Sequence, residues 1–364
     1  MPRTQNEILK DMFIAHNESN NEKWLENAKS LISLLEYRNM NKVAAEFRKI
    51  LLPDEIKAKS ENVGVVKEPI TLFGEDYPLI RQNETNKKPK KETAWQVSRG
   101  AEVNFNHIYK LVEYLSLNSN KSASNNVLNE LLGFSEEKAQ GFSRILYFLG
   151  LLTDRKKELT DLAKIIYQYD SYFEDIGTLW FLHYVISSNP NFIIWNRLTN
   201  ILFHSKMFSD QDSKSLFEDQ RESHAEYSFK HHLNKEFNLC INAYTKSKFS
   251  KLNIIELVGE KEFQKTIPSY VPDIIVLACI LLYKKRFYPY DVGLEIPNLI
   301  NEINSPGRLL YKNEYDFRDA LDKLRQERLI IIESFANLDQ IKFLTSDDHL
   351  EVLKLYYKSK QERT

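Results

Sequence analysis

The chain has little of what builds stapled or turn-rich folds: two cysteines, ten glycines and eleven prolines in 364 residues. Cys240 and Cys279 alone cannot make a disulfide framework or a four-cysteine zinc site, a usage that suits a reducing cytoplasm. Scarce glycine and proline argue against Gly-rich sandwiches, barrels and collagen-like arrays, and leave room for long uninterrupted helices. An excess of either charge is also missing. Fifty Lys and Arg stand against 51 Asp and Glu, a formal charge of −1, so a polyanion would have to be met by a local patch. The longest apolar run, residues 274–283 (IIVLACILLY), is about half of a bilayer crossing and reads as a buried helix. Residues 1–14 carry Glu7 and Asp11 and no apolar stretch of the signal-peptide kind. A soluble cytoplasmic protein without membrane contact is expected.

What is there is core-forming material: 42% hydrophobic and 12% aromatic residues, in a length of two to three domains. Residues 5–15, 21–37 and 42–52 have helical patterns closed by Pro53, so residues 1–65 read as a helical appendage. Residues 66–103, with Gly64 just before them and Pro69, Gly74, Pro78 and the Lys87–Lys91 run inside, have linker or loop composition.

From Asn104 the pattern is helix, short helix ending at Gly133, and helix capped by Ser135 with Ala139, Phe142, Ile145, Leu146 and Leu149 on one stripe. A hairpin-like stretch then runs from Leu151 to Thr160, and another helix starts at Asp161. Three helices and a hairpin predict a winged-helix unit over 104–170. Residues 171–264 read as a helical middle region, helices only as far as 250. The order returns over 265–364: helices at 272–283, 293–303 and 313–328, then strand-like runs 329–333 and 340–344. The predicted fold is mainly α, with two winged-helix units around a helical middle, the N-terminal appendage and a C-terminal helix.

A recognition helix is judged by its outward face. Opposite the apolar stripe of the first lie Glu137, Gln140, Gly141, Ser143, Arg144 and Tyr147, and its hairpin adds Arg155, Lys156 and Lys157. Gln140, Ser143, Arg144 and the three hairpin cations are therefore candidates for duplex DNA. The corresponding face of the second unit carries Tyr315, Arg318, Asp319, Asp322 and Gln326, whose carboxylates oppose phosphate. Lys246 and Lys248, with Lys251, lie in a stretch without acids between Glu236 and Glu256, and Arg308 in Ser305-Pro306-Gly307-Arg308 suits a bidentate phosphate contact.

Catalytic patterns are sparse. There is no Walker loop, GxGxxG, GxSxG or HExxH. Glu174, Asp175 and His183 invite a catalytic reading, but the acids sit where a helix N-terminus favours them, and His183 follows Leu179 and Trp180 at core spacing. His224, His231 and His232 near Asn234 share a helix with an apolar stripe, and His204-Ser205-Lys206 with Asp210 has the wrong spacing for a phospholipase-D-type centre. No cofactor and no resident metal are predicted.

Over residues 142–200 the chain resembles a bacterial family, DUF4007. The resemblance rests on Gly150-Leu151-Leu152 with Leu159-Thr160, on Tyr172-Phe173-Glu174-Asp175 with Gly177-Thr178-Leu179-Trp180 and His183, and on Ser188-Asn189-Pro190, Trp195 and Asn200. It continues at 238–244 and 305–308 and covers about two thirds of the chain. Phe73-Gly74-Glu75-Asp76-Tyr77 stands where the family shows a His-Glu-Thr-Phe type stretch, so a role of that histidine does not carry over, and residues 1–65 look like an addition. The resemblance implies a setting beside DNA phosphorothioation genes of the Ssp and Dnd kind, in antiphage defence, with a sulfur-transfer enzyme and an ATPase as partners. The expected function is that of the DNA-binding component, which engages duplex DNA and recruits those partners. The alternatives are a metal-dependent nickase, to which Glu174, Asp175, His183 and Mg²⁺ or Mn²⁺ would belong, and a winged-helix transcription regulator.

Overall fold

The computed structural model describes residues 97–223, 226–335 and 338–362. They belong to one compact unit, Leu72–Thr364. The expectations for residues 1–65, for 66–96 and for the Lys87–Lys91 run lie outside the described residues.

Capping residues set the first elements. The Asn104 side chain accepts from the Asn106 and His107 N–H groups to open α1 (Phe105–Leu117), Ser124 opens α2 (Asn125–Leu132), and Gly133, at φ 66°, ends it. Ser135 caps α3 (Glu136–Phe148). A single antiparallel bridge, Leu152 to Leu159, then closes a short hairpin before α4 (Asp161–Asp170), whose N-cap is Thr160. The order helix, helix, helix, hairpin, helix is the one the sequence predicts. Residues 97–103 differ from a linker: Val97, Ser98, Ala101 and Val103 are all buried.

Two helices apolar on every side form the centre. In α5 (Ile176–Ser187) every residue from Gly177 to Ser187 is buried, and in α9 (Asp273–Phe287) so is every residue from Ile275 to Tyr283. They pack on each other, and α9 also packs on the C-terminal helix α13 (His349–Gln361). One continuous core runs from Val97 to Tyr357. Both cysteines are buried in it as free thiols. Among the described residues no helix is long and apolar enough to cross a membrane.

The middle region corrects an expectation, because it is not helical throughout. After α6 (Ile193–Asn200) and a 3₁₀ turn at Leu202–His204 comes β1 (Met207–Ser209), then α7 (Asp210–Leu216), α8 (Glu226–Lys246), β2 (Ile255–Gly259) and β3 (Glu262–Lys265). These strands form an antiparallel sheet in the order β1-β3-β2. The last part contains β4 (Gly293–Glu295), α10 (Ile296–Asn301), α11 (Pro306–Leu309), α12 (Glu314–Gln326), β5 (Ile330–Phe335) and β6 (Leu338–Phe343). Its sheet runs β4-β6-β5. β4 occupies the start of the helix expected at 293–303, where Gly293 lets the Ile341 carbonyl approach within 2.9 Å of the position a Cβ would take.

Candidate nucleic-acid interface

α3 is buried on more than its apolar stripe. A Cβ on Gly141 would lie 1.9 Å from the Ser98 carbonyl oxygen, so only glycine lets residues 97–101 cross the helix here. Glu236 of α8 holds that crossing. Its Oε1 accepts from the Val97 N–H at 2.9 Å, the Ser98 N–H at 2.8 Å and the Ser98 hydroxyl at 2.8 Å. Burial nevertheless pushes the Glu236 carboxyl above its usual value, against these bonds and the charge of Arg144.

The crossing changes what α3 presents. Gly141 and Ser143, assigned to the outward face by helical spacing, are both buried. The Ser143 hydroxyl donates back to the Ala139 carbonyl at 2.9 Å, so this candidate is corrected: it is not on a groove-facing surface. Arg99 takes that place instead. It is exposed and donates to Gln140 Oε1, while the Gln140 amide donates to Glu136 at 3.3 Å. Arg144 is half-buried, its guanidinium pulled below its usual value by burial and then by Arg99, with Asp154 of the hairpin acting in the opposite direction. Arg99, Gln140, Arg144 and the hairpin are thus within electrostatic or hydrogen-bonding reach of one another. Arg155 and Lys156 are exposed on the hairpin, and Lys157 is half-buried, its carbonyl accepting from the Ala123 N–H at 2.9 Å.

Other candidates are engaged in holding the fold. Lys248 pairs with Glu174 Oε1, and Lys251 pairs with Glu174 Oε2. The two ammonium groups hold the Glu174 carboxyl at about 2. Lys248 is therefore a neutralised cation rather than an open phosphate contact, whereas Lys246 is exposed at the end of α8. Arg308 donates through Nε to the Asn200 carbonyl at 2.7 Å and through a terminal nitrogen to the Asn301 carbonyl at 3.4 Å, so two of its donors bind main chain instead of a ligand.

Glu174, Asp175 and His183 do not meet in one site. Asp175 is the N-cap of α5, accepting from the Gly177 and Thr178 N–H groups at 2.8 and 3.0 Å, and it also takes the Tyr356 hydroxyl at 2.8 Å and pairs with Lys360. His183 is fully buried. Its Nε2–H donates to the Leu309 carbonyl at 2.8 Å, which leaves Nδ1 as the acceptor for the Tyr244 hydroxyl at 2.5 Å. Burial holds the ring neutral, with a pKa of about 4. These three do not fit a Mg²⁺ or Mn²⁺ site: one carboxylate is shared by two lysines, the other caps a helix, and the imidazole has both nitrogens committed. Among the described residues no group of three or more His, Cys, Asp or Glu is arranged to hold a metal ion.

The long motifs have structural work of their own. Gly177 admits the Tyr356 ring of α13, whose atoms would be 2.5 Å from a Cβ there, and the Thr178 hydroxyl lies 2.6 Å from that of Tyr357. Asn196, Asn200 and Asn304 form a buried amide network: Asn304 Oδ1 accepts from Asn196 at 2.6 Å and from Asn200 at 3.0 Å, and Asn200 Oδ1 accepts from the Asn304 N–H at 2.8 Å. Gly307 brings α11 within 2.7 Å of the Ile300 Cα, measured from the Cβ it lacks.

Sequence reasoning missed Arg99 and Glu236. Arg99 left no signal, since it precedes Gln140 by 41 residues inside apparent linker composition. Glu236 left one, an acid three residues after Leu233 and four before Cys240 on the apolar stripe of α8.

Two solved structures are similar to this chain. One, described as a magnesium ion-bound SspB crystal structure, matches with a TM-score of 0.59 and 17% identity over 73% of this chain and 88% of that chain. The other, an SspB crystal structure, matches with a TM-score of 0.58 and 18% identity over the same shares. At that identity the likeness concerns the fold. A search of curated proteins finds no match. The model of the family described as "Protein of unknown function (DUF4007)" matches residues 148–357, from the end of α3 to α13 and more than half of the 364 residues. The chain belongs to the DUF4007 family.

Proposed function

We propose that this chain is the DNA-binding component of a bacterial DNA phosphorothioation and antiphage defence assembly. It meets duplex phosphates through Arg99, Arg144, Arg155 and Lys156 and recruits a sulfur-transfer enzyme and an ATPase to the DNA. The observation that carries this reading is the crossing of α3 by residues 97–101, which lays Arg99 beside Gln140 and Arg144 next to a hairpin tipped with Arg155 and Lys156. Family membership and the fold shared with SspB support the setting. We read α1–α3 with the 152–159 hairpin as one winged-helix unit, and α9, β4, α10–α12 and β5–β6 as the second. The second is the weaker reader because Asp319 and Asp322 on α12 are tied to Lys323 and Arg325 and leave no excess of cations.

With Ser98 and Arg99 across it, α3 does not enter a major groove as a bare helix. Recognition then depends on phosphate contacts rather than base edges, so affinity is high in salt dependence and low in sequence preference. Four such contacts give a log–log salt slope of about −3.6, or about a hundredfold loss of affinity for a fourfold rise in salt. Anisotropy titration of the full chain with two unrelated short duplexes tests this. Similar affinities with that slope support the reading, and salt-independent or absent binding removes it. Binding confined to one sequence would favour a transcription regulator.

A further inference from the structure

Away from α3 and the hairpin, the small sheet β1-β3-β2 borders an open cleft of about 660 Å³, within the size range of small-molecule sites. Its walls include His204, Lys206, Asn253, Glu256 and Lys265. The register Met207 to Gln264 makes Lys206 and Lys265 the next cross-strand pair, and the Lys265 N–H donates to the Lys206 carbonyl at 3.1 Å. Like charges directly opposite each other destabilise a sheet, an expense relieved when an anion lies between them. Among the described residues neither lysine has a carboxylate partner. Arg308 adds to the positive field, since it and Lys265 reinforce the burial that lowers His204 to about 4.

His204 gives the cleft a second requirement. Its ring stacks on Tyr311, centroids 4.8 Å apart. Its Nε2 is buried and has no hydrogen-bond partner. In the neutral ring that nitrogen either carries a lone pair and asks for a donor or carries the hydrogen and asks for an acceptor, and a hydroxyl group supplies either. The rim is preformed: the Asn253 amide donates to the Ile267 carbonyl at 2.7 Å, and the Thr266 hydroxyl donates to the Asn253 carbonyl at 2.5 Å. Glu256, which accepts from the Gln264 amide, supplies an acceptor on the same lining.

An anion between two lysines, a hydrogen-bond partner for an imidazole and a donor for the Glu256 carboxylate within one small-molecule volume describe a phosphate ester that carries hydroxyl or amino groups. We propose that this cleft binds a nucleotide, its phosphate between Lys206 and Lys265 and a hydroxyl or amino group hydrogen-bonded to His204 Nε2. The nucleotide is either free or a unit of a single strand. The site shares no residue with the α3 face, so it stands or falls apart from the duplex reading.

Calorimetric titration of the full chain with adenosine monophosphate, thymidine monophosphate, inorganic phosphate and a short single-stranded oligonucleotide tests this. Saturable binding of a mononucleotide identifies the free form; binding of the oligonucleotide alone identifies the strand unit. In either case Lys206→Ala and Lys265→Ala weaken binding about tenfold, which corresponds to about 1.4 kcal/mol. His204→Phe, which keeps a ring on Tyr311, weakens the nucleotide without changing the response to inorganic phosphate. The proposal is overturned if no probe binds, if inorganic phosphate binds as tightly as the nucleotides, or if the two lysine variants bind as the unaltered chain does.

Discussion

The Tyr244 hydroxyl donates to His183 Nδ1 at 2.5 Å and accepts from Trp195 Nε1 at 3.2 Å, so one buried oxygen joins α5, α6 and α8. Its replacement exposes how much the centre depends on that oxygen. Tyr244→Phe leaves the Trp195 N–H unmet in the core, at about 1–3 kcal/mol, while His183 Nδ1 keeps the Ser187 hydroxyl, 3.3 Å away, as a donor. The expected loss is about 1–3 kcal/mol in urea unfolding. Tyr315→Phe, at a residue 80% exposed, should change stability by less than about 0.5 kcal/mol. Equal effects from the two variants would show that the buried network contributes little.

His183 also predicts an acid limit. Its pKa is about 4 in the folded chain against an ordinary 6.5, so between these values the unfolded chain binds more protons than the folded one. The stability it contributes is complete above about pH 6.5 and is lost as the pH falls toward 4, to a total of about 3 kcal/mol at about 1.4 kcal/mol per unit. His204, lowered in the same direction, adds to the loss, while Glu236, raised by burial, offsets part of it because its protonation favours the folded chain. Urea midpoints should therefore drop steadily from pH 6.5 to pH 5. A flat profile across that window would mean that His183 is not sealed from solvent.

The parts of this fold that could be read from sequence are those with local physical markers. Asn104, Ser124 and Ser135 announce α1, α2 and α3 because capping chemistry is contained within three residues. β2 gave no such marker: Ile255 is buried, but Glu256, Leu257 and Val258 are all exposed, so its burial does not alternate as a half-buried strand should. β4 is three residues long and merges with the helical pattern of α10. Ser143 was misplaced for another reason. The rule that the face opposite an apolar stripe is solvated fails where a segment without periodicity covers that face, as residues 97–101 do on α3. Arg99 reaches the candidate interface through this same crossing, which nothing local in the sequence announces.

Gly141 tests that crossing by the sign of its effect. Glycine inside a helix costs about 1 kcal/mol relative to alanine, so Gly141→Ala on an open helix face would stabilise the protein by about that amount. Here the new Cβ meets the Ser98 carbonyl oxygen at 1.9 Å and its carbon at 2.6 Å, both main-chain atoms that cannot swing aside. The variant should lose about 2 kcal/mol or more, and limited proteolysis should cut sooner around residues 97–101 as the segment lifts from α3. A more stable variant with unchanged proteolysis would put residues 97–101 elsewhere.

Lys156 and Lys248 separate two possible DNA faces. Lys156 is exposed on the hairpin, whereas Lys248 is half-buried and spends its charge on Glu174. An ammonium already neutralised by a carboxylate releases no counterion from DNA, so Lys248→Ala should leave duplex affinity within about twofold and the salt slope unchanged. Its cost in stability should stay below about 1 kcal/mol, because the Glu174 partner is 56% exposed. Lys156→Ala should weaken binding uniformly across sequences and reduce the slope by about 1. Anisotropy titrations at several salt concentrations read both quantities at once. If Lys248→Ala lowers the slope and Lys156→Ala does not, DNA lies along the start of α5 and the end of α8, and the α3 face is not the interface.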